Sequence, residues 1–560
     1  ALSYGVGFIH DALTEQERST VEGLFKAGAI QVLLCTYNLA WGLEARAYLV
    51  IIMNTQYYEG KEHRYVDYSI NDMLQMIGRA GRSGDSMAKC FILCYGPKKE
   101  YYKKFIYEPL PVESHLDQNL YDFLNAEVVA KTIENKQDAV DWITWTFFYR
   151  RLTQNPNFYN LQGVTSKHIS DYLSELVEDT VRDLENSKCL AVEDEVDLSP
   201  LNLGIIAAHY YIKYTTIELF NYSLSEKTKI RGLIEIISNA SEFEDLAIRH
   251  KEDRLLEKMA AHLPLKISKP DYSKPATKVN ILLQSHFSRL QLPVVMVADQ
   301  AVVVRRVPHL IQAMVDVIAS SWWLAPALAA MELSQMVVQA VWDSDSVFRQ
   351  LPHFTSDMVQ RLAKIAPEVE TIFDFLEMDD EKRNAVLSNL TSRQKADIVR
   401  ACMRYPNIDL TYSVAGIDMS TGDDEKTPSV KASAGDNVPV NVVLERAMPE
   451  NMTDVGPVHA PYYPGKKTEN WWLLVGIPSR NLMLSIKRVT FARNTKVPFT
   501  PFNIDFLNGN LQFFYLPQVK LDFTAPEEPG NYDLKLYLIS DSWMGCDQEL
   551  EFKLEVSGKD

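Results

Sequence analysis

The spacing of apolar residues changes twice along this chain, and no single layer architecture accommodates all three patterns. In residues 1–108, short continuous apolar runs (Ile30–Cys35, Leu49–Met53, Cys90–Cys94) alternate with amphipathic stretches. Such runs are strands of a parallel sheet covered by helices on both faces. From Pro109-Leu110-Pro111 to Tyr405-Pro406 the spacing is helical almost throughout. Beyond Pro406 it drops to two, in Val438–Leu444, Trp471–Ile477, Leu482–Phe491, Tyr532–Ile539 and Gln548–Val556. That alternation predicts half-exposed strands of an antiparallel sandwich, about seven in all. The chain is therefore read as multidomain: α/β, then α-helical, then all-β. Its 560 residues suit about three to four domains.

Local signals refine this. Val6–Ile9 reads as a strand, and Thr14 with Glu17 three residues on reads as a capping box opening a helix. Long apolar helices are expected over Leu203–Phe220 and, after Pro326, over Ala327–Trp342, with a Pro/Lys-rich loop at 264–278. Val192–Asp197 reads as a polar-acidic stretch, and Ser420–Asp436 as a disordered loop.

Hydrophobic residues make up 46% and charged residues 23%, which excludes collagen-like, mucin-like and wholly disordered chains. No apolar run reaches the ~18–20 residues that span a bilayer, so no membrane partner is expected. The N-terminal Ala1–Gly7 lacks the basic-then-apolar layout of a signal peptide. Without an initiator Met, the chain is expected to be a fragment or a processed product. The six Cys residues (35, 90, 94, 189, 402, 546) form no CxxC pair, so buried free thiols in a reducing compartment are expected, with no zinc site. The sequons at Asn221, Asn239, Asn389 and Asn451 carry little meaning without a secretory route. Residues 1–110 hold 12 acidic and 12 basic side chains, so the net charge of −17 lies wholly in 111–560. An acidic rear portion argues against bulk electrostatic wrapping of nucleic acid and for surfaces that meet proteins.

One string carries chemistry: Gln75-Met76-Ile77-Gly78-Arg79-Ala80-Gly81-Arg82. Two guanidiniums three residues apart, each preceded by a glycine, stand at the mouth of a helix. Arg clamps phosphate oxygens bidentately, and glycine allows close approach. Charge spread over phosphoryl oxygens is what such groups stabilise. About forty residues upstream, Thr36-Tyr37-Asn38-Leu39-Ala40-Trp41-Gly42 follows a buried strand, placing Thr36 and a Gly turn where phosphate or ribose can be touched.

In this order and spacing, these segments resemble the second RecA-like domain of superfamily-two RNA helicases of the DExH, Ski-two-like group. Gly5–Arg18 looks like the segment around that group's HHAGL string, Thr36–Gly42 like motif V and Gln75–Arg82 like motif VI. Pro109–Ser114, Glu134–Val140 and Tyr149–Pro156 look like the winged-helix domain of the group's two-cassette spliceosomal branch. Leu201–Tyr211, Arg231–Ser238, Pro326–Glu332, Gln350–Thr355 and Asp541–Glu549 look like its Sec-sixty-three-type unit. The resemblance implies a partial second RecA-like domain (1–108), a winged helix (109–200), a helical bundle (201–345), a helix-loop-helix (346–405) and an immunoglobulin-like sandwich (406–560). It implies catalytic roles for Arg79 and Arg82, nucleotide contacts for Gln75, Gly78 and Gly42, and a nucleic-acid contact for Thr36. The same resemblance suggests that Gln335 and Gln339, in one stripe with Met331, lie beneath a translocating strand. ATP and magnesium would be the cofactors of the intact cassette. Spliceosomal proteins and the N-terminal cassette of the same polypeptide would be the partners, with small nuclear RNA a weak one, in the nucleus.

The sequence also departs from the group's pattern. No G-x-x-x-x-G-K-[ST] string occurs and no DExH box precedes Gln75; Asp194–Asp197 lies behind it, in an acidic hairpin. The phosphate cradle and magnesium carboxylates are thus missing, and the chain alone is expected to be inactive. Leu43-Glu44-Ala45-Arg46 replaces the usual apolar residue, Asn and Pro of motif V, and Asp11 adds a second acid, so a weakened RNA grip is expected. Trp322-Trp323 is expected in the core, and Lys98, Lys99, Lys103 and Lys104 on a solvated face. The leading reading is a regulatory and scaffolding cassette. An active RNA translocase and a DNA-repair helicase of the same group are the alternatives.

Overall fold

The computed structural model describes residues 2–10, 13–59, 64–81, 87–108, 112–249, 251–419, 429–447, 455–490 and 518–558. Arg82, Asp11, Pro109–Pro111, Asn451 and Phe491 lie outside the described residues.

The first unit alternates strands and helices: β1 (Val6–Ile9), α1 (Glu15–Lys26), β2 (Val32–Cys35), β3 (Leu49–Ile52), β4 (Gln56–Glu59), β5 (Arg64–Asp67), α2 (Ile70–Ile77), β6 (Lys89–Ile92) and α3 (Lys99–Tyr107). Thr14 caps α1, with the Glu17 carboxylate accepting back from the Thr14 N–H at 2.8 Å, as the spacing predicted. Four of these strands pair in parallel, but as two separate pairs, β1–β2 and β3–β6, while β4 and β5 form an antiparallel pair. The expectation of a sheet covered on both faces is corrected here. Val32, Ile51 and Leu93 are 49%, 53% and 56% exposed, and only small clusters close, around Phe25, Ile30 and Ala45 and around Ile52, Met73, Tyr102 and Phe105.

The next unit packs α4 (Leu116–Val129), α5 (Lys136–Thr144), α6 (Phe147–Gln154) and α7 (Ser166–Asn186) against a hairpin of β7 (Leu190–Glu193) and β8 (Asp197–Pro200). Asp194 and Glu195, at the tip of that hairpin, adopt φ of +48° and +65°.

Helices then follow one another: α8 (Asn202–Tyr210), α9 (Tyr214–Ser223), α10 (Ile230–Ser238), α11 (Glu252–Ala260), α12 (Pro275–Phe287), α13 (Val294–Ser320) and α14 (Leu324–Gln339). The single helix expected over 203–220 is two, because Tyr211 takes a left-handed conformation (φ +49°) and ends α8. The expected loop at 264–278 stops at Lys274, since Pro275 opens α12, where a missing N–H is harmless. Similarly, α14 starts before Pro326 and stops at Ala340 (φ +52°). The longest helix, α13, was not singled out by the sequence pattern. Trp323 packs on the bundle core, while Trp322 is 52% exposed, against expectation.

The second unit is followed by this bundle without slack at the junction. Gly204 of α8 lies so close to the chain before it that a Cβ there would stand 2.0 Å from the Cys189 carbonyl oxygen. Asn125 of α4 donates to the Gly204 carbonyl at 3.0 Å, and Tyr121 stacks on Tyr214 at 5.2 Å.

Four short helices, α15 (Ser356–Ile365), α16 (Ile372–Glu377), α17 (Asp380–Val386) and α18 (Ser392–Cys402), lead to the strands. One sheet is ordered β10 (Ile417–Asp418), β9 (Asn407–Val414), β12 (Asn437–Ala447), β15 (Gln518–Thr524). The other is β11 (Ser429–Ser433), β17 (Gln548–Ser557), β16 (Gly530–Ser540), β13 (Trp471–Ile477), β14 (Leu482–Val489). Part of the expected loop 420–436 is therefore strand, and β11 pairs with β17 in parallel. Strand β13 is buried along its whole length instead of on one face. Trp471, Leu473 and Val475 enter the sandwich core, while Trp472 and Leu474 enter the bundle core.

Candidate functional site

Helix α2 begins at a capped end: Ser69 Oγ accepts the Asp72 N–H at 3.1 Å. It closes at Gly78, so Gln75, Gly78 and Arg79 stand at its carboxyl end. The helix dipole does not favour an anion there, and the guanidinium must supply the attraction. Arg79 is half-buried and partly engaged. It donates to the Leu43 carbonyl at 2.5 Å and to Gln75 Oε1 at 3.0 Å, while its buried Nε meets no partner among the described residues. The turn does not hang in solvent, because Ala47 N–H donates to Arg79 O at 3.0 Å and Gly81 N–H to Ala47 O at 2.9 Å. Gly81 has φ +112°, a conformation other residues rarely adopt.

The structure thus brings Gln75, Gly78 and Arg79 against the segment that carries Gly42. Nothing stands within 4 Å of where a Cβ on Gly42 would be, so the space before it is open. Thr36 is exposed at the carboxyl end of β2, its N–H donating to Ile9 O at 3.2 Å and its side chain making no cap bond. Glu44 faces α1: Lys26 pairs with it at 3.1 Å and with Glu22 at 3.0 Å, and both raise the Lys26 pKa. Of the lysines expected on a solvated face, Lys98 pairs with Asp67 at 2.5 Å and Lys103 with Glu100 at 3.2 Å.

Gln335 and Gln339 are placed elsewhere, and the expectation of a nucleic-acid contact is corrected. They are 3% and 1% exposed, in the seam between α14 and the sandwich. Gln335 Nε2 donates to Ser540 O and Asp547 Oδ2, both at 2.9 Å, and Gln339 Nε2 to Ser542 O at 2.7 Å. Polar residues on a helix stripe look alike in sequence whether they meet solvent or a partner sheet. Two residues beside the site were missed by sequence reasoning: Trp41, which donates to Asp72 Oδ1 at 2.7 Å, and Asp72 itself. The signal available for Asp72 was its place three residues after Ser69.

Among the described residues, no three His, Cys, Asp or Glu side chains gather as a metal site. Arg79, held beside the opening before Gly42, offers the donor chemistry that one wall of a nucleotide site would need.

Comparison with known proteins agrees with this layout. Residues 1–84 match the helicase conserved C-terminal domain, 113–194 a winged helix-turn-helix domain, and 200–553 the Sec63 Brl domain. The chain belongs to the Sec63 Brl domain family. Over 553 residues, 99% of the chain, it is 51% identical to the U5 small nuclear ribonucleoprotein 200 kDa helicase of Mus musculus. It is 50% identical to the protein of that name from Drosophila melanogaster and 48% identical to the DExH-box ATP-dependent RNA helicase DExH12 of Arabidopsis thaliana. The chain spans 24% of the length of each of these relatives.

Proposed function

We propose that this chain is the C-terminal cassette portion of an ATP-dependent RNA helicase that acts in nuclear pre-mRNA splicing, where the parent protein opens paired small nuclear RNAs during spliceosome activation. The observation that carries this reading is half-identity to U5 helicases along 99% of the chain, together with an Arg79–Gln75 pair set against the Gly42 segment. In this reading the chain supplies one wall of the nucleotide cleft. Arg79 is held by Leu43 O and Gln75, so the guanidinium needs no reorganisation to meet phosphate oxygens. Arg82 is assigned to the same phosphates by its place in the motif alone, Gly42 leaves room for the ribose, and Thr36 faces the nucleic-acid backbone. ATP with magnesium would supply the transferable phosphoryl group in the intact cassette. The first RecA-like domain would provide the phosphate cradle, so residues 1–560 alone should turn over no ATP when RNA is added. Turnover abolished by Arg82→Ala would contradict this. In the intact protein, Arg79→Ala should weaken binding of a fluorescent ATP analogue at this cassette by about tenfold or more. Unchanged affinity would remove the site.

A second role, as a protein-interaction platform that regulates the motor, is favoured by the charge distribution. Residues 112–200 hold 17 acidic and 7 basic side chains, a net charge of −10. Nucleic acid is repelled by such a surface, and basic protein segments are attracted. Pulldown from nuclear extract should recover splicing proteins after nuclease treatment; recovery lost entirely with the RNA counts against the platform.

A further inference from the structure

Helix α2 carries Gln75 and, just past its end, Arg79; the segment 36–43 carries Thr36. Three contacts fasten the two, two of them through residues with no role assigned so far. Trp41 donates its indole N–H to Asp72 Oδ1 at 2.7 Å. The other oxygen of Asp72 accepts the Ser69 hydroxyl at 2.8 Å, so one carboxylate both completes the cap of α2 and holds the indole. Tyr68, immediately before that cap, lies 4.7 Å ring to ring from Tyr37, and Tyr57 stacks on Tyr37 at 5.2 Å and on Tyr68 at 5.8 Å. Burial, then the neighbouring Tyr57 and Tyr68, push the Tyr37 hydroxyl pKa up to about 12, so it stays neutral within the stack. At the other end Arg79 grips Leu43 O. The segment is thus tied to α2 in its first turn and again beyond its last.

Trp41 is 53% exposed. About half of the residue remains in water, so burial does little to fix it, and among the described residues its directed contact is the N–H to a carboxylate. We infer that Trp41 and Asp72 are positioning residues that make the segment 36–43 and helix α2 move as one element, so that filling the nucleotide wall alters affinity for RNA and the reverse. The inference rests on the site reading above. Neither residue touches nucleotide or RNA in it: Asp72 acts through Trp41, and Trp41 through the backbone that presents Thr36 and Gly42.

The experiment measures, on the intact protein, the affinity of a fluorescent nucleotide with and without a single-stranded oligouridine, and the affinity of the oligouridine alone. The ratio of the two nucleotide affinities is the coupling factor. In Trp41→Phe and Asp72→Ala that factor should fall about tenfold or reach unity, while each ligand alone binds within about twofold of wild type. Asp72→Asn keeps an acceptor for the indole and should retain most of the coupling. Ser69→Ala removes the cap hydroxyl but leaves the indole tie, and should retain it too, which separates positioning from loss of helix stability. Wild-type coupling in Trp41→Phe, or absence of coupling in the wild type, overturns the inference. So does a loss of oligouridine or nucleotide binding on its own, which would make Trp41 a direct contact. Arg79→Ala leaving nucleotide affinity unchanged refutes the site reading instead, by a separate measurement.

Discussion

Residues 2–108 and residues 200–558 bury their apolar side chains in opposite ways. The first unit closes two small clusters and leaves Val32, Leu34, Ile51, Phe91 and Leu93 open to solvent. In the second, Trp472, Leu474, Tyr537 and Ile539 of the sandwich sit in the same core as Val307, Met314 and Val337 of the bundle. The difference is instructive because the candidate chemistry lies in the loosely packed unit. There the site is held by a few directed polar ties, which can be broken and remade. Core packing, which has no such alternatives, fixes the unit without chemistry.

The largest expected effect lies in the tight unit. Lys278 is fully buried, pairing with Glu252 at 2.8 Å and Asp299 at 2.6 Å, and Arg249 also pairs with Asp299. Lys278→Ala removes the fully buried cation between Glu252 and Asp299, leaving Arg249 to balance both carboxylates, and should destabilise the bundle by about 3–5 kcal/mol. Calorimetry should show the bundle transition fall while that of residues 2–108 stays in place. If both move together, the two regions are one cooperative unit and the contrast fails.

Next comes the seam. Burial, opposed by the Gln335 and Ser540 hydrogen bonds, pushes the Asp547 carboxyl up to about 6. Since the folded-state pKa is raised above its unfolded value, the folded form binds the extra proton, and this group's contribution to stability increases as pH falls from about 6 towards 4. His286, pushed down to about 4 by burial, works the other way and is common to wild type and variant. In Asp547→Asn the Asp547 contribution should vanish, seen as a change of roughly 3 kcal/mol in the difference between the two proteins across that window. Urea titrations at several pH values measure it; parallel curves would mean the seam is wetter than its burial indicates.

The smallest effect belongs to the loose unit. Thr14→Ala removes the capping box of α1 and should cost about 1 kcal/mol, read as faster amide exchange in α1 with none in α13. Matching changes in both helices would erase the contrast from the other side.

How far the sequence revealed this follows from the range of each contact. Thr14 with Glu17, and the Gln75–Arg79 string, involve neighbours in the chain and were readable. The fate of β13 was not: its Trp-Trp-Leu-Leu-Val string is apolar on both faces because a helix over a hundred residues earlier covers one of them. Gln335 and Gln339 misled for the same reason, since their carbonyl partners lie 205 and 203 residues away. The Trp41–Asp72 tie, 31 residues apart, lies at the same blind distance. The open strand faces were hidden because apolar runs record what a strand prefers, without recording whether a cover is present.

The turn Ser540–Asp547 is gripped from several sides. Ser334 and Gln339 bind it from α14, Gln350 both donates to Met544 O at 2.8 Å and accepts its N–H at 3.2 Å, and Tyr405 adds a bond to the same carbonyl at 2.8 Å. A tug on the sandwich by anything bound to its outer sheet would therefore reach the bundle with little slack. The C-terminal strands thus serve as a handle for the helices: a load applied to the outer sheet is passed to α14.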